Sequence, residues 1–464
     1  MQANNIVNKL DRSPIAILGV PFDNVTLADV LALAAEMIGS RQPHYATTVG
    51  VNFLSAALED VELRRILFDA HLILAEETPV VRASRMLGNP LPGCVTAANL
   101  IPQLLALAEK NGWRVFLLGG ADTDAAVGEK IRSRHPQLNL VGVYSPPEAP
   151  LLEMDHGDIL RRLREAKPDI LLVAFGCPKQ EKWINMNYRE SGVPFTLGAG
   201  MTFDFLTGTV GKAKEVSWSD SWKFNAAVVR QRWQLRGKKK LKAAAAAKAE
   251  VIPDPFGNLV IRAPEQLGAA EASTYQAEWL RAVESGHVMF DLSATTFVDS
   301  TGVGILIKLR RRARELGYQF FLVSPKPAVE AALKLMKLEE FFTVQASVQG
   351  ARILMESAAR APVVTSGVQE KELSIRWSGE VTALNAVELG AYTESELTQA
   401  TAGMTVVIEL SRVTFVDSTG IGLMLRFKKN LKRRDLNLQF KNPTAAVRNV
   451  IRHTRLEDYL LGAA

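Results

Sequence analysis

"FVDSTGVG" spans Phe297–Gly304, and "FVDSTGIG" spans Phe415–Gly422. Asp299 and Asp417 lie 118 residues apart, and the same offset holds without a gap well beyond the turn. It sets Asp291 against Glu409, and Leu338-Glu339 against Leu456-Glu457. A repeat of this length means two copies of one domain. Each copy reads strand, turn, helix, strand, helix. The strands are "VMFDLS" and "YQFFLVS" in the first copy, and "TVVIELS" and "LNLQFKN" in the second. At about 100 residues, each has the size of an independent domain. In the turn a buried strand ends and a helix begins. The Ser and Thr side chains are expected to accept from the free first-turn amides, and the glycine to permit tight packing. The turn is expected at an exposed strand–helix mouth, where a partner can cover it.

The part of the chain ahead of this repeat has another pattern. "RVFLLGG" (Arg114–Gly120), "LNLVGVYS", "DILLVAF" and "PFTLGAG" read as buried strands. Between them lie the helical runs "DTDAAVGEKIRSRH", "GDILRRLREAKP" and "QEKWINMNYRES". Strands separated by helices of this length imply parallel pairing in an α/β sandwich. Ligands in such sheets sit at the carboxyl ends of the strands. The loops to watch are therefore Gly119-Gly120, "GCPKQE" and "GAGMTFDF". None is a dinucleotide fingerprint or a Walker A loop.

Composition bounds the rest. The 464 residues are too many for one core and suggest about three domains at ~150 residues each. Hydrophobic content of 47% and charged content of 22% are those of an ordinary globular protein. No apolar run reaches a membrane span, and "MQANNIVNKLDRSP" does not read as a signal peptide. The two cysteines, Cys94 and Cys177, are too few for a disulfide framework or a zinc cluster, which fits a reducing cytoplasm. Much of the net charge of +6 sits in "VVRQRWQLRGKKKLKAAAAAKAE" (Val228–Glu250). That run reads either as a solvated helix end entering a linker or as a basic, Trp-bearing contact for anionic lipid or phosphate.

From about residue 14 to 225 the chain resembles the WecG/TagA/CpsF family of bacterial glycosyltransferases. The resemblance rests on "DVELRRILFDAHLILAEETPVVRASRMLGNPLP", "LIPQLLALAEKNGWRVFLLGG", "GVYSPP", "AFGCPKQEKWI" and "GAGMTFDFLTGTVGKA" in that order. It implies a Rossmann-like core and transfer, with inversion and without a required metal or cofactor, of an N-acetylmannosamine-type sugar. The donor is a UDP-sugar and the acceptor a polyprenyl-diphosphate-linked sugar. It implies a nucleotide-sugar cleft lined by Gly119, Gly120, Gly176, Lys179, Gln180, Glu181, Gly198 and Gly200. Glu76 stands at the position of the general base, and Thr48 and Gln180 position substrates. The Gln180 amide is suited to a uracil edge or a sugar hydroxyl.

The sequence departs from the family at polar positions. Glu76-Glu77 replaces the usual Asp-Gly, so the base is one methylene longer and a second anion follows it. Cys94 replaces an Arg, Ala97 and Asn99 replace a Gly and an Asp, and Gly50 and Asn52 replace an Asn and an Asp. Two adjacent carboxylates beside a diphosphate would repel it. Two readings follow: an active sugar transferase of cell-surface polysaccharide synthesis, or a degenerate transferase that senses nucleotide sugar.

The DSTG turns resemble those of the STAS family, the anti-sigma-factor antagonist domains, over about residues 251–350 and 365–464. In that family the Ser after the Asp can be phosphorylated by a partner serine kinase, which implies Ser300 and Ser418, beside Asp299 and Asp417, as phosphorylation and partner sites. The expected organisation is a transferase-like domain at 1–236, a basic linker at 237–250, STAS domains at 251–356 and 368–464, and a linker at 357–367. The fold class is α/β throughout. The tail is expected to regulate the front domain, or to carry its state to an anti-sigma-type partner. No nucleic-acid partner is expected. The location implied is cytoplasmic, with peripheral contact at the inner face of the membrane.

Overall fold

A strand buried on both faces needs a layer of structure on either side of its sheet. Five strands of the front domain meet that condition: β3 (His44–Val49), β4 (Leu72–Ala75), β5 (Arg114–Gly119), β7 (Ile170–Ala174) and β8 (Phe195–Gly198). With the half-buried β6 (Asn139–Tyr144) they form a parallel sheet of order β4-β3-β8-β7-β5-β6. A short hairpin of β1 (Ile15–Ile17) and β2 (Val20–Phe22) precedes it. The computed structural model describes residues 13–120, 124–200, 218–236, 249–253, 258–339, 341–358, 365–369, 372–383, 385–401, 403–434, 436–454 and 456–462.

One face of the sheet is covered by α1 (Leu27–Ser40), α5 (Ala97–Asn111) and α6 (Asp124–Arg134). The other is covered by α2 (Val51–Glu59), α3 (Val61–Asp69), α4 (Thr78–Leu87), α7 (His156–Ala166), α8 (Lys179–Ser191) and α9 (Trp218–Arg236). The expected strands and helices of Arg114–Gly198 are all present.

The first repeat copy has a sheet of order β15-β14-β12-β10-β9, in which β9 (Glu250–Pro253) is antiparallel to β10 (Leu259–Arg262). The remaining pairs, through β12 (Val288–Asp291), β14 (Phe320–Val323) and β15 (Thr343–Gln345), are parallel. A separate short pair joins β11 (Gln266–Leu267) to β13 (Phe297–Val298). The helices are α10 (Ala269–Ser285), α11 (Ser300–Glu315), α12 (Pro327–Leu335) and α13 (Val348–Ala358). The second copy pairs β16 (Thr365–Gln369), β17 (Glu372–Val381), β18 (Thr405–Val416) and β19 (Asn437–Lys441) in that order. Its helices are α14 (Ala386–Glu396), α15 (Ser418–Arg433), α16 (Ala445–His453) and α17 (Glu457–Leu461). The 118-residue offset carries α11 onto α15 and α12 onto α16, end to end. The second copy's sheet begins at Thr365, inside the stretch expected to be a linker. The basic run at 237–248 lies outside the described residues.

Two features of the DSTG turns differ from expectation, and the helices that follow the turns differ from each other. The helix caps are the aspartates: Asp299 Oδ1 accepts from Thr301 N at 2.8 Å and Gly302 N at 2.9 Å, and Asp417 Oδ1 accepts from Gly420 N at 2.9 Å. Neither turn is an open mouth, because Ser300 is 1% exposed and Ser418 2%. Both are covered by the front domain. Gln231 of α9 donates to Ser300 Oγ at 3.0 Å and to Ala16 O at 2.9 Å, and accepts from Leu18 N at 2.9 Å. Finally, two helices of similar basic sequence meet different surroundings. Lys308, Arg311 and Arg312 of α11 are buried, while Arg426, Lys429, Lys432 and Arg433 of α15 face solvent.

The units are not separate globules. Ala16, Phe68 and Leu235 of the front domain sit in the core of the first copy, and Phe68 packs on Phe341 with ring centroids 4.2 Å apart. Arg311 donates to Ala70 O, and Arg314 Nη1 lies 2.5 Å from Asp69. Glu380 of the second copy lies 2.5 Å from Arg65, 3.4 Å from Arg314 and 3.9 Å from Arg310. Burial alone would raise the Glu380 carboxyl, but Arg65, then Arg314 and Arg310, outweigh it and bring it down to about 2. A depressed carboxyl contributes stability above its unfolded pKa of about 4.3, and that stability is lost as pH falls toward 2. Glu380→Gln is therefore expected to cost about 3 kcal/mol near neutral pH, leaving buried guanidiniums uncompensated. Denaturant unfolding at pH 7 and at pH 2.5 checks this: the gap between parent and variant should shrink at the lower pH.

Candidate active site

Parallel strands deliver every strand-end loop to one edge, so the segments after β3, β4, β5, β7 and β8 share the carboxyl edge of the sheet. Most of the expected site residues stand there: Thr48, Glu76, Gly119, Gly120, Gly176, Lys179, Gln180, Glu181, Gly198 and Gly200.

Glu76 accepts hydrogen bonds from the Thr48 hydroxyl and from the Ala97 backbone N–H at the start of α5. Burial raises its pKa, the neighbouring Glu77 raises it further, and the two hydrogen bonds act against them without cancelling the rise. Glu77 does not point its charge the same way. Its Oε2 accepts from Val51 N at 3.1 Å, the first amide of α2. A Cβ on Gly50 would lie 2.4 Å from Glu77 Oε1. The Glu77 side chain thus fills the room that Gly50 leaves, so the two positions are sterically coupled. Each carboxylate lies at a helix N-terminus, where free amides and the helix dipole favour an anion. Asn99 also has a local task, closing a reciprocal capping box with Thr96 at the start of α5.

Gln180 and Glu181 open α8. Gln180 Nε2 donates to Glu181 Oε1 at 2.6 Å, and Gln180 Oε1 accepts from Gly200 N at 3.1 Å. Both groups of the amide are thus engaged within the protein, and the side chain is 5% exposed. Its nitrogen also lies 2.8 Å from where a Gly198 side chain would begin. Glu181 is 2% exposed. Burial pushes its pKa up to about 7 against the hydrogen bond from Gln180, and the charge of Glu76 adds to the rise. Lys179 Nζ donates to Ala149 O at 2.6 Å and lies 5.6 Å from the Phe175 ring centroid, so it ties the loop after β6 to the loop after β7. Gly119 and Gly120 join the same edge: Gly120 N donates to Ala174 O at 3.1 Å. Cys94 lies 4.0 Å from the Thr78 hydroxyl.

The arrangement can do two things chemically. A raised, half-buried carboxylate can take a proton from a bound hydroxyl, and backbone amides at the strand ends can meet phosphate oxygens. Ser300, Ser418, Asp299 and Asp417 lie elsewhere, at the junctions with the two repeat copies. Gly50, Glu62, Lys182 and Gln231 carry structural roles at these places that sequence spacing did not mark.

Comparison with known proteins agrees with this layout. Residues 15–219 match the Glycosyl transferase WecG/TagA/CpsF family, residues 246–351 the STAS domain, and residues 364–462 the Mlab, STAS domain. An N-acetylglucosaminyldiphosphoundecaprenol N-acetyl-beta-D-mannosaminyltransferase of Staphylococcus aureus is 23% identical over 211 residues, 45% of this chain and 81% of that protein. The anti-sigma factor antagonist SpoIIAA in its unphosphorylated form is 18% identical, covering 24% of this chain and 97% of its own, with a TM-score of 0.22. The Bacillus cell fate determinant SpoIIAA in its phosphorylated form is 17% identical, covering 23% and 99%, with a TM-score of 0.21.

The Gly50–Glu77 coupling has a direct test. Gly50→Asn alone places a side chain inside the Glu77 carboxylate and should destabilise by about 2 kcal/mol. Adding Glu77→Gly should recover most of that loss, a coupling of about 1–3 kcal/mol in a double-mutant cycle. Additive losses, measured by urea unfolding, would show that the two positions are independent.

Proposed function

We propose, for a chain that carries a WecG/TagA/CpsF-family glycosyltransferase domain followed by two STAS domains, that the carboxyl-edge cleft transfers a sugar. The donor is a UDP-sugar of the N-acetylmannosamine type, and the acceptor hydroxyl belongs to a polyprenyl-diphosphate-linked sugar. The observation that carries this reading is Glu76, held by Thr48 and by the start of α5 with its pKa raised by burial. A base of this kind removes the acceptor proton as the hydroxyl attacks the anomeric carbon. UDP then leaves from the opposite face, and the configuration inverts. The strand-end amides at Gly119-Gly120 and Gly176 suit the diphosphate. The setting of Glu77 on α2 supports the reading too, because its charge is compensated before a diphosphate arrives. Trp233, 76% exposed on α9, and Val229 beside it support peripheral contact with the membrane that holds such an acceptor.

One observation favours a second reading. The Gln180 amide and the Lys179 ammonium are both spent on contacts within the protein. A cleft set in this way suits a nucleotide-sugar sensor whose state passes to partners through the STAS domains, with Ser300 and Ser418 as sites for a serine kinase.

Transfer and binding measured together separate the two. In the transferase reading, Glu76→Gln lowers sugar transfer by about 100-fold or more while UDP affinity stays near the parent's. The parent's rate should rise with pH through the raised pKa of Glu76, because only the carboxylate can accept a proton. UDP binding with no transfer by the parent, from any UDP-N-acetylhexosamine, would favour the sensor.

A further inference from the structure

Helix α3 presents Glu62, Arg65 and Asp69, spaced by three and four residues and therefore on one face. Each meets a different part of the tail. The Ser418 N–H donates to Glu62 Oε1, Arg65 pairs with Glu380 at 2.5 Å, and Asp69 pairs with Arg314. Arg65 also lies over the Phe415 ring, 3.8 Å from its centroid. Glu62 is 3% exposed, and its other oxygen lies 2.8 Å from Lys182 Nζ, which in turn lies 2.7 Å from Asp60. Lys182 directly follows Glu181, the buried carboxylate of the cleft.

The two STAS copies are held differently. The first shares its core with Ala16, Phe68 and Leu235. Gly304 lets the strand approach so closely that a Cβ there would lie 2.8 Å from Pro14 O. Among the described residues, the front-domain hydrophobics packed against the second copy's core are the partly buried Val61 and Leu152, while nothing lies within 4 Å of a Cβ on its corresponding Gly422. Its other contacts with the front domain named above are charged or polar. A cavity of about 30 Å³ lies at the triple junction, with Asp69, Asn185, Arg311, Arg314 and Asp417 in its wall. An apolar seam needs no matched charge, whereas buried ion pairs depend on every partner remaining matched.

We propose that the transferase-like domain is the built-in occupant of the second STAS copy's DSTG turn, and that Glu62 is a clasp which a negative charge at Ser418 opens. Asp417 and Glu62 already set two carboxylates around one helical turn. Burial, and then Glu62, push the Asp417 carboxyl up to about 7, so the site has little capacity for a third. Opening leaves Glu62 to Lys182, which is also paired with Asp60, and this shift in the Lys182 contacts reaches the start of α8. An external partner for this turn must compete with α3. The proposal does not depend on transfer activity.

Hydrogen exchange on the full chain tests it. Ser418→Asp should speed exchange in Val61–Asp69 about tenfold or more, and in Gly176–Ile184 as well, while Ser300–Glu315 stays protected. Ser418→Ala should match the parent. Glu62→Gln keeps an acceptor for the Ser418 amide without its charge, so Glu62→Gln added to Ser418→Asp should restore protection. Unchanged protection of Val61–Asp69 in a folded Ser418→Asp protein would overturn the clasp. Opening of Val61–Asp69 with Gly176–Ile184 unmoved would overturn the link to the cleft. If Ser418→Asp loses its fold, the charge swap Arg65→Glu with Glu380→Arg decides instead. Each single change should open Val61–Asp69 and the pair should close it, and no opening by either single change would overturn the clasp.

Discussion

A charged side chain leaves water only if a partner waits for it, and helix α3 satisfies that condition with three partners from other parts of the chain. Glu62, Arg65 and Asp69 are each matched, to a backbone amide, a carboxylate and a guanidinium respectively. Asp60 fixes the start of the helix by accepting from Leu63 N at 3.0 Å, and its second oxygen draws in Lys182. A nine-residue helix thereby sets the relative positions of three folded units. Its charged composition gives no sign in the sequence that this face is buried. On an isolated front domain most of this face would be solvated.

The two copies show how one motif serves opposite kinds of contact. The strand–turn–helix frame is the same in both, and in both the Asp carboxylate caps the helix. What differs lies one or two turns farther along. The first copy continues into a basic helix face that is buried, with Lys308 lowered to about 8 by burial despite the nearby Asp23. The corresponding face of the second copy is solvated, and the front domain meets this copy at the turn, at Glu380, at the Phe415 ring and through Val61 and Leu152. Similar charge in sequence gives no guide here, because burial depends on what another part of the chain offers.

The fold was largely legible in the sequence. Apolar strand runs bounded by glycine predict the parallel sheet, and the 118-residue offset predicts both copies, since each signal is local. The contacts were not legible, because they depend on pairs far apart. Gln231 and Ser300 are 69 residues apart, and Glu62 and Ser418 are 356 apart. Capping was misread for a local reason: Asp, Ser and Thr are all competent caps, and only backbone geometry picks the aspartate. The Glu76-Glu77 pair was legible as a change, but its electrostatic meaning was not. A repulsive pair in sequence becomes two anions on two different helix N-termini once α2 and α5 are in place.

That placement joins the cleft to the tail twice over. Glu77 holds the first amide of α2, and α2 runs through Asp60 directly into α3 and its Glu62 contact. Glu181 lies buried in the first turn of α8, bonded to Gln180, and the next residue, Lys182, reaches the same Glu62. Two elements, one held at its start by Glu77 and the other opening at Gln180-Glu181, thus converge on one carboxylate against the Ser418 turn. Side chains in a packed interior adopt discrete arrangements rather than sliding continuously, so an element anchored at both ends carries a change at one end to the other. A STAS module attached by a loose tether alone would have no such path. Here the turn is seated in the transferase-like domain, and the chemistry of the cleft and the occupancy of the turn share the same helices.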